Sequence, residues 1–294
     1  MPVTLLYAIV VTIWGSSWLG IRYQLGVVAP ELSIAYRFLL SAGFLLAFCL
    51  ATRRSLRFGA RDHLFFAAQG LTLFSLNYLL FYWAAGYVTS GLMAVAFSTI
   101  TVMNIANGAL LFGHAIDRRV AVAAAAGIVG LGLVYWPEIA GVELSHAALI
   151  GLGLSIVATY LASLGNMISV RHKVQAIPVV EANTLGMSYG AVFTLAFALA
   201  RGVPVTFDWS WSYSLSLAYL ALFASVFGFG AYLTLLQRIG ADRAAYSSVL
   251  FPLVALGLST AVEGYRWTAP AAIGVALVLA GNLVVLRRPQ PKPA

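Results

Sequence analysis

Among the ionisable residues, only Arg37 falls well inside a long apolar stretch, about two helical turns from its start. Its planar guanidinium can hold a carboxylate through two parallel N–H donors. Two plainer readings are a side chain that snorkels outward and a side chain paired with Glu31 or Glu263. Around it, polar and aromatic residues recur at helical spacing and so share faces. Trp14, Ser17 and Trp18 form one face, and Phe74, Ser75, Tyr78 and Tyr82 a second. Ser225, Phe229 and Tyr232 form a third, and Phe97, Thr101 and Asn104 a fourth. Thr159, Ser163 and Asn166 align with Tyr160 beside them, and Asn183 and Met187 open a further apolar run. Such faces predict a cavity with aromatic walls and neutral hydrogen-bonding groups, suited to a small molecule with apolar and polar parts. The substrate-contacting candidates are Trp14, Ser17, Trp18, Arg37, Tyr78, Tyr82, Thr101, Tyr160, Ser163, Asn183 and Tyr232. The competing reading is that these hydroxyls and amides bond helix to helix, at about 0.6 kcal/mol each. Pro252 removes one backbone hydrogen bond within an apolar run and crowds the Ser248 carbonyl, which marks it as a hinge or a static bend.

Other chemistries find no footing. His63, His114, His146 and His172 lie far apart in the sequence without metal-ligand spacing, and no H-E-x-x-H occurs. Gly127, Gly130 and Gly132, like Gly228 and Gly230, do not make a G-x-G-x-x-G turn after a strand, and there is no P-loop. Cys49 is the single cysteine. No enzyme, cofactor or metal site is expected. The absence of Asp, Glu and His from the middle of every apolar run predicts transport weakly coupled or uncoupled to protons.

The segments that must position these residues are too apolar for water. Hydrophobic residues make up 62% and charged residues 9% of 294 residues, against roughly 25% charged in ordinary globular proteins. A helix needs about 20 apolar residues to cross the hydrocarbon. Spans are predicted near 4–22, 31–51, 64–84, 88–113, 119–136, 146–170, 181–200, 212–236, 244–262 and 269–287, with the division at Gly86 the least marked. The first run has no Lys or Arg before it and is read as a span, not a signal peptide. The net charge of +8 is spread over short connections, which excludes a nucleic-acid footprint. Arg53, Arg54, Arg57 and Arg61, then Arg118 and Arg119, Arg171 and Lys173, Arg238 and Arg243, and the tail fall on one side, which the positive-inside rule places in the cytoplasm with both termini. Trp83, Trp136, Trp209, Trp211 and Trp267 fall at the other edge, as an interfacial belt would. Small residues four apart, Ala123/Gly127, Ala126/Gly130 and Ala276/Ala280, predict close helix crossings.

The halves answer each other weakly. Tyr78-Leu79, Gly86 and Phe97 share one offset with Tyr232-Leu233, Gly240 and Phe251, and Gly127 answers Gly274 after a small gap. Five spans per half require the second to enter from the opposite side, the inverted repeat of many secondary transporters. Together with Trp14-Gly15-Ser16-Ser17, the small-residue cores of spans 4 and 9, Phe251-Pro252 and Glu263, these features resemble the drug/metabolite transporter superfamily, EamA type, and within it the YddG-type aromatic amino acid exporters. An acidic residue often closing span 4 of that family is here His114. The resemblance implies an all-α integral membrane fold of ten transmembrane helices as two inverted five-helix repeats around a central cavity, with residues 1–141 and 142–288 as the repeats and 289–294 as a cytoplasmic tail. It implies a carrier in the cell inner membrane, surrounded by lipid and exporting amino acids or similar metabolites by alternating access; ten helices in two halves can enclose a cavity alone, which predicts a monomer. A broad drug exporter and a passive channel are the alternatives.

Overall fold

A computed structural model describes residues 1–24, 26–88, 90–113, 115–116, 118–140, 146–251, 253–254, 257 and 267–286. Among these residues the chain is helical throughout, without strands. The helices are α1 (Val3–Arg22), α2 (Pro30–Ala51), α3 (Ala60–Ala84), α4 (Ser90–Ser98 continued by Ile100–Phe112) and α5 (Arg118–Val134, with a short turn Trp136–Ala140). They continue as α6 (His146–Val174), α7 (Val179–Ala200), α8 (Trp211–Ile239), α9 (Ala241–Ala245, tightening to a 3-10 turn at Tyr246–Val249) and α10 (Ala269–Leu286). Among the described residues, six helices are long and apolar enough to cross a membrane: α2, α3, the Val95–Phe112 part of α4, α6, α7 and α8. Gly86 does mark the break after α3, where Gly86 N and Tyr87 N close the last turn on Trp83 O and Ala84 O.

Polarity runs from inside to outside. Ser33, Ser41, Gln69, Thr101, Asn104, Ser163, Asn166 and Ser225 are buried, while Leu39, Phe44, Leu46, Leu110, Val122, Val129 and Ile273 are exposed. That distribution suits lipid as the solvent, since backbone groups are satisfied within each helix and side-chain polar groups find partners only in the interior.

α2 packs on α7, α5 on α10, α1 on α8 and α3 on α6. α2 and α7 run antiparallel and are clamped at both ends. Glu31 in the first turn of α2 accepts from Arg201 just past α7, at 3.2 Å. Glu181 in the first turn of α7 accepts from Arg54 just past α2, also at 3.2 Å. Each glutamate also stands at the helix end where the backbone dipole favours negative charge. A third pair, Arg171–Asp62 at 2.8 Å, ties the end of α6 to the start of α3.

Glycines set the crossings. A Cβ on Gly130 would lie 2.7 Å from Gly274 O, and one on Gly274 would strike Gly130 O, so α5 and α10 meet backbone to backbone. Ala123 meets this seam, its carbonyl 3.0 Å from where a Cβ on Gly281 would lie, whereas Gly127 faces Tyr246 and Val249. Ala276 and Ala280 do not meet it: they are exposed, and α10 turns Gly274, Val278 and Gly281 inward instead. The spacing was right and the phase off by part of a turn, because alanine is small enough to suit lipid and seam alike.

Two of the long helices widen into π winding. α3 contains a π turn at Thr72–Leu76, and α8 a longer one at Leu220–Phe227. Wider winding removes some i→i−4 bonds and frees carbonyls for other donors. Both π segments lie at the level where these helices meet their neighbours: α3 against α6 and α7, α8 against α1 and α2.

Candidate functional site

The second π segment organises the centre. Trp14 Nε1 on α1 donates to Ala224 O at 3.0 Å, and Ser41 Oγ on α2 donates to Ala221 O at 3.0 Å. Gly228 makes room for the indole, since a Cβ there would stand 2.6 Å from Trp14 Nε1. Ser225, in the same segment, points its hydroxyl at α2 and accepts from Arg37 Nε at 2.8 Å.

Arg37 is only 3% exposed. Its Nη2 contacts Tyr78 OH at 3.4 Å, a long bond, and its guanidinium carbon stands 5.0 Å from the Tyr78 ring centre and 5.5 Å from that of Phe38. The side chain therefore does not snorkel. Nor is it paired with Glu31, which is held by Arg201. Glu263 lies outside the described residues. Among those residues no carboxylate lies within ion-pair distance of Arg37, and two of the guanidinium's five donors are used. A buried charge so supplied is costly unless something else completes its shell.

From Arg37 an unbroken aromatic run crosses the bundle. Tyr78 packs on Phe38 (5.1 Å between ring centres), Phe38 on Phe74 (5.4 Å), Phe74 on Phe229 (5.0 Å) and Phe229 on Trp14 (5.0 Å). Trp14 also meets Tyr232 at 5.0 Å and Phe251 at 6.1 Å, and Phe251 leads through Phe97 to Phe81. Edge-to-face and tilted geometries prevail, as ring quadrupoles favour. Tyr82 packs against the same cluster.

Beside this wall lies a buried polar network, in which Asn166 Oδ1 finds no partner among the described residues. Ser163 Oγ on α6 donates to Asn104 Oδ1 at 2.7 Å and accepts from Asn107 Nδ2 at 2.9 Å. Asn166 Nδ2 donates to Tyr232 OH at 2.9 Å, and Asn104 Nδ2 donates to Ala241 O at 3.1 Å. All of these side chains are buried. They bond α4, α6, α8 and α9 to one another, so Ser163 and Tyr232 are occupied in holding helices, as the plainer reading had it.

The other candidates divide. Arg37, Trp14, Tyr78 and Tyr82 come together along the aromatic run. Ser17 is buried but turns its hydroxyl back to Trp14 O. Thr101 Oγ1 and Asn183 Oδ1 are buried and find no partner among the described residues. Tyr160 is a correction: it is 44% exposed, on the same stripe of α6 as Leu149, Ile156 and Val157. It is turned away from buried Thr159, since one residue along a helix is a 100° rotation. The Trp18 side chain and Pro252 lie outside the described residues.

Sequence reasoning missed Ser41, which fixes α2 to the π segment, and Asn107, which completes the network. Ser41 could have been found four residues after Arg37, on its face. The π turns carry no such signal. The histidines also sit differently from their sequence spacing: His63 and His172 flank Phe66 at 5.8 and 5.0 Å, and His63 Nδ1 is 3.0 Å from Tyr189 OH.

Comparison with known proteins agrees on the kind of molecule. The EamA-like transporter family matches residues 1–136 and 149–287. Protein PagO of Salmonella typhimurium is 26% identical over 98% of this chain and 96% of its own length. A probable amino-acid metabolite efflux pump of Escherichia coli is 27% identical, over 93% of this chain and 91% of its own. A crystal structure superposes with a TM-score of 0.82 at 16% identity, over 97% of this chain and 96% of that one.

Proposed function

This chain belongs to the EamA-like transporter family, a drug/metabolite transporter family, and from that premise we propose that it is a secondary carrier exporting amino acids or closely related small metabolites by alternating access. The observation that carries the substrate reading is Arg37, buried among aromatic rings with no carboxylate beside it among the described residues. A bound substrate carboxylate would complete its shell, and the Tyr78–Phe38–Phe74–Phe229–Trp14 run would receive an apolar or aromatic side group. The printed name of the Escherichia coli relative points the same way.

Ten spans in two inverted repeats fit the contacts. An inverted pairing of α1–α5 with α6–α10 turns the α1·α8 contact into α6·α3, and maps α2·α7 and α5·α10 onto themselves. It also exchanges the Glu31–Arg201 and Arg54–Glu181 pairs, which have the same length. Both π segments fall on corresponding helices, α3 and α8. Charge alternation supports cytoplasmic termini in an inner membrane, and the exposed Trp136, Trp209, Trp211 and Trp267 support an interfacial belt at the far side. The carrier works as a monomer, the substrate moves down its own gradient, and protons are not obligatory partners.

The test is counterflow in liposomes holding the purified protein, preloaded with unlabelled phenylalanine, threonine or methionine. Saturable accumulation of the labelled solute is expected. Flux that neither saturates nor shows counterflow would mean a channel, and uphill uptake driven by a pH gradient alone would overturn the absence of proton coupling.

A further inference from the structure

Three side chains from other helices hold the π segment of α8, Leu220–Phe227. Trp14 Nε1 donates to Ala224 O, Ser41 Oγ to Ala221 O and Arg37 Nε to Ser225 Oγ. The first of these stands in for a backbone bond. Gly228 N donates to Phe223 O, five residues back, which leaves its α-helical partner Ala224 O to the indole. Regular α winding would return Ala224 O to Gly228 N and displace Trp14. The π segment of α3 is met differently: there Ser75 Oγ accepts from the neutral hydroxyl of Thr194. The lever on the α8 segment is a cation, and it is the cation proposed to meet substrate.

A π ring encloses one residue more than an α ring, so rewinding turns everything beyond it by about 100°. In α8 that part carries Phe229 and Tyr232, each 5.0 Å from Trp14 between ring centres. Tyr232 OH accepts from Asn166 Nδ2 at 2.9 Å, and Asn104 bonds both Ser163 and Ala241 O. These bonds close the halves of α6 and α8 that end in Arg171 and Arg238, the side proposed above as cytoplasmic. A turn of that size takes Tyr232 off Asn166 and opens the seal.

A carboxylate that grips the Arg37 fork side-on takes the Nε hydrogen now accepted by Ser225. Resting on the carrier reading above, we propose that the π segment of α8 is a switch coupling occupancy of Arg37 to the cytoplasmic seal. Carboxylate on Arg37 releases Ser225, the segment winds to α, and Tyr232 leaves Asn166. The empty carrier keeps its seal, so its return without substrate is the slow step, and exchange outruns net flux.

The test removes the extra residue. Phe223 lies within the segment and is 44% exposed. Its deletion lets the segment wind as α while Gly228–Ile239 keeps its present orientation, so the fold is retained and the switch is lost. Spin labels at Lys173→Cys and Gln237→Cys, in a Cys49→Ser background, report the separation of α6 and α8 at the sealed end. The probe is phenylalanine, threonine or methionine, whichever shows counterflow. In the protein with its segment intact, the probe is expected to shift that distance, and Ser41→Ala to shift the substrate-free distribution in the same direction. With Phe223 deleted, the probe is still expected to raise the unfolding temperature, but the distance stays fixed. Exchange is expected to fall at least about 10-fold, the weight of one charge-assisted hydrogen bond. Exchange at the wild-type rate by the folded deletion variant would overturn the switch and leave the carrier reading standing. A distance indifferent to the probe, in labelled protein that exchanges it saturably, would overturn the switch even if the deletion variant fails to fold. If folded wild-type protein exchanges none of the three amino acids, both readings fall.

Discussion

Four arginines of this protein take up geometry of two kinds, and the difference bears on which of them hold helices and which is proposed to meet substrate. Arg54, Arg171 and Arg201 stand at helix ends, each against a carboxylate on another helix, and they tie α2 to α7 and α6 to α3. Arg37 stands within α2, more deeply buried than any of them, against a serine hydroxyl and two rings. A fold selected only for stability has every reason to pair or remove such a charge, since replacing buried charges with well-packed apolar groups is often neutral or stabilising. Its burial beside an aromatic run, with no carboxylate within ion-pair distance among the described residues, is what the proposed substrate carboxylate would account for.

That contrast can be broken most sharply at Arg37. Replacing it with Met removes the charge and keeps a flexible stem. Transport of whichever carboxylate solute the counterflow assay identifies should fall about 10- to 100-fold or more, the loss of a charge-assisted interaction of about 1.5–3 kcal/mol. Thermal unfolding in detergent should not be lowered, and a rise would fit a site that trades stability for function. A variant that lost transport only by failing to fold would place Arg37 with the structural arginines. The opposite signature is expected at Arg201. Arg201→Met leaves Glu31, a carboxylate with a 7% exposed side chain, facing no cation, at a cost of about 1–3 kcal/mol. Adding Glu31→Gln should return most of it, which a double-mutant comparison of unfolding temperatures would register.

How much of this was legible in the sequence follows the same division. The helix boundaries were, because hydropathy and proline placement act locally: α2, α6, α7 and α10 start or end within a few residues of the predicted spans. Arg37 was legible as an anomaly, since a charge inside an apolar run needs no alignment to be noticed. The phases of helices were less so. The faces drawn on α3 and α8 assumed unbroken 3.6-residue winding, and the π segments at Thr72–Leu76 and Leu220–Phe227 widen it. Side chains on either side of a π turn need not keep the register that spacing implies. Which hydroxyls bind and which brace was not legible at all. Ser163 and Ser225 are both small, polar and inside apolar runs, and only tertiary contacts assign one to Asn104 and the other to Arg37.

Those two serines sharpen the comparison at smaller scale. Ser163→Ala unlinks Asn104 and Asn107, and it should lower stability by about 0.6 kcal/mol, with about 1.7 as the upper range for such bonds in membranes. Substrate affinity should change little. Ser225→Ala frees Arg37 Nε, so it should alter the apparent KM severalfold while shifting the unfolding temperature less than Ser163→Ala does. Measuring both quantities for both variants decides between them, and the reverse pattern would exchange their roles.

The smallest effect is expected at Tyr160. Spacing puts it next to Thr159 and Ser163, within the candidate cavity, whereas the structure turns it to the exposed stripe of α6 with Ile156 and Val157. There its ring meets lipid and contributes area, which a leucine supplies nearly as well. Tyr160→Leu should leave transport within about twofold and stability within about 0.5 kcal/mol, the ordinary range for a surface exchange. The variant matters because it tests orientation alone. Tyr160 and Thr159 differ by one position in sequence and by a 100° turn in space. A tenfold loss on replacing Tyr160 would mean that α6 presents this face to the substrate in part of the cycle, and the division between bracing and carrying faces would have to be redrawn around a rotating helix.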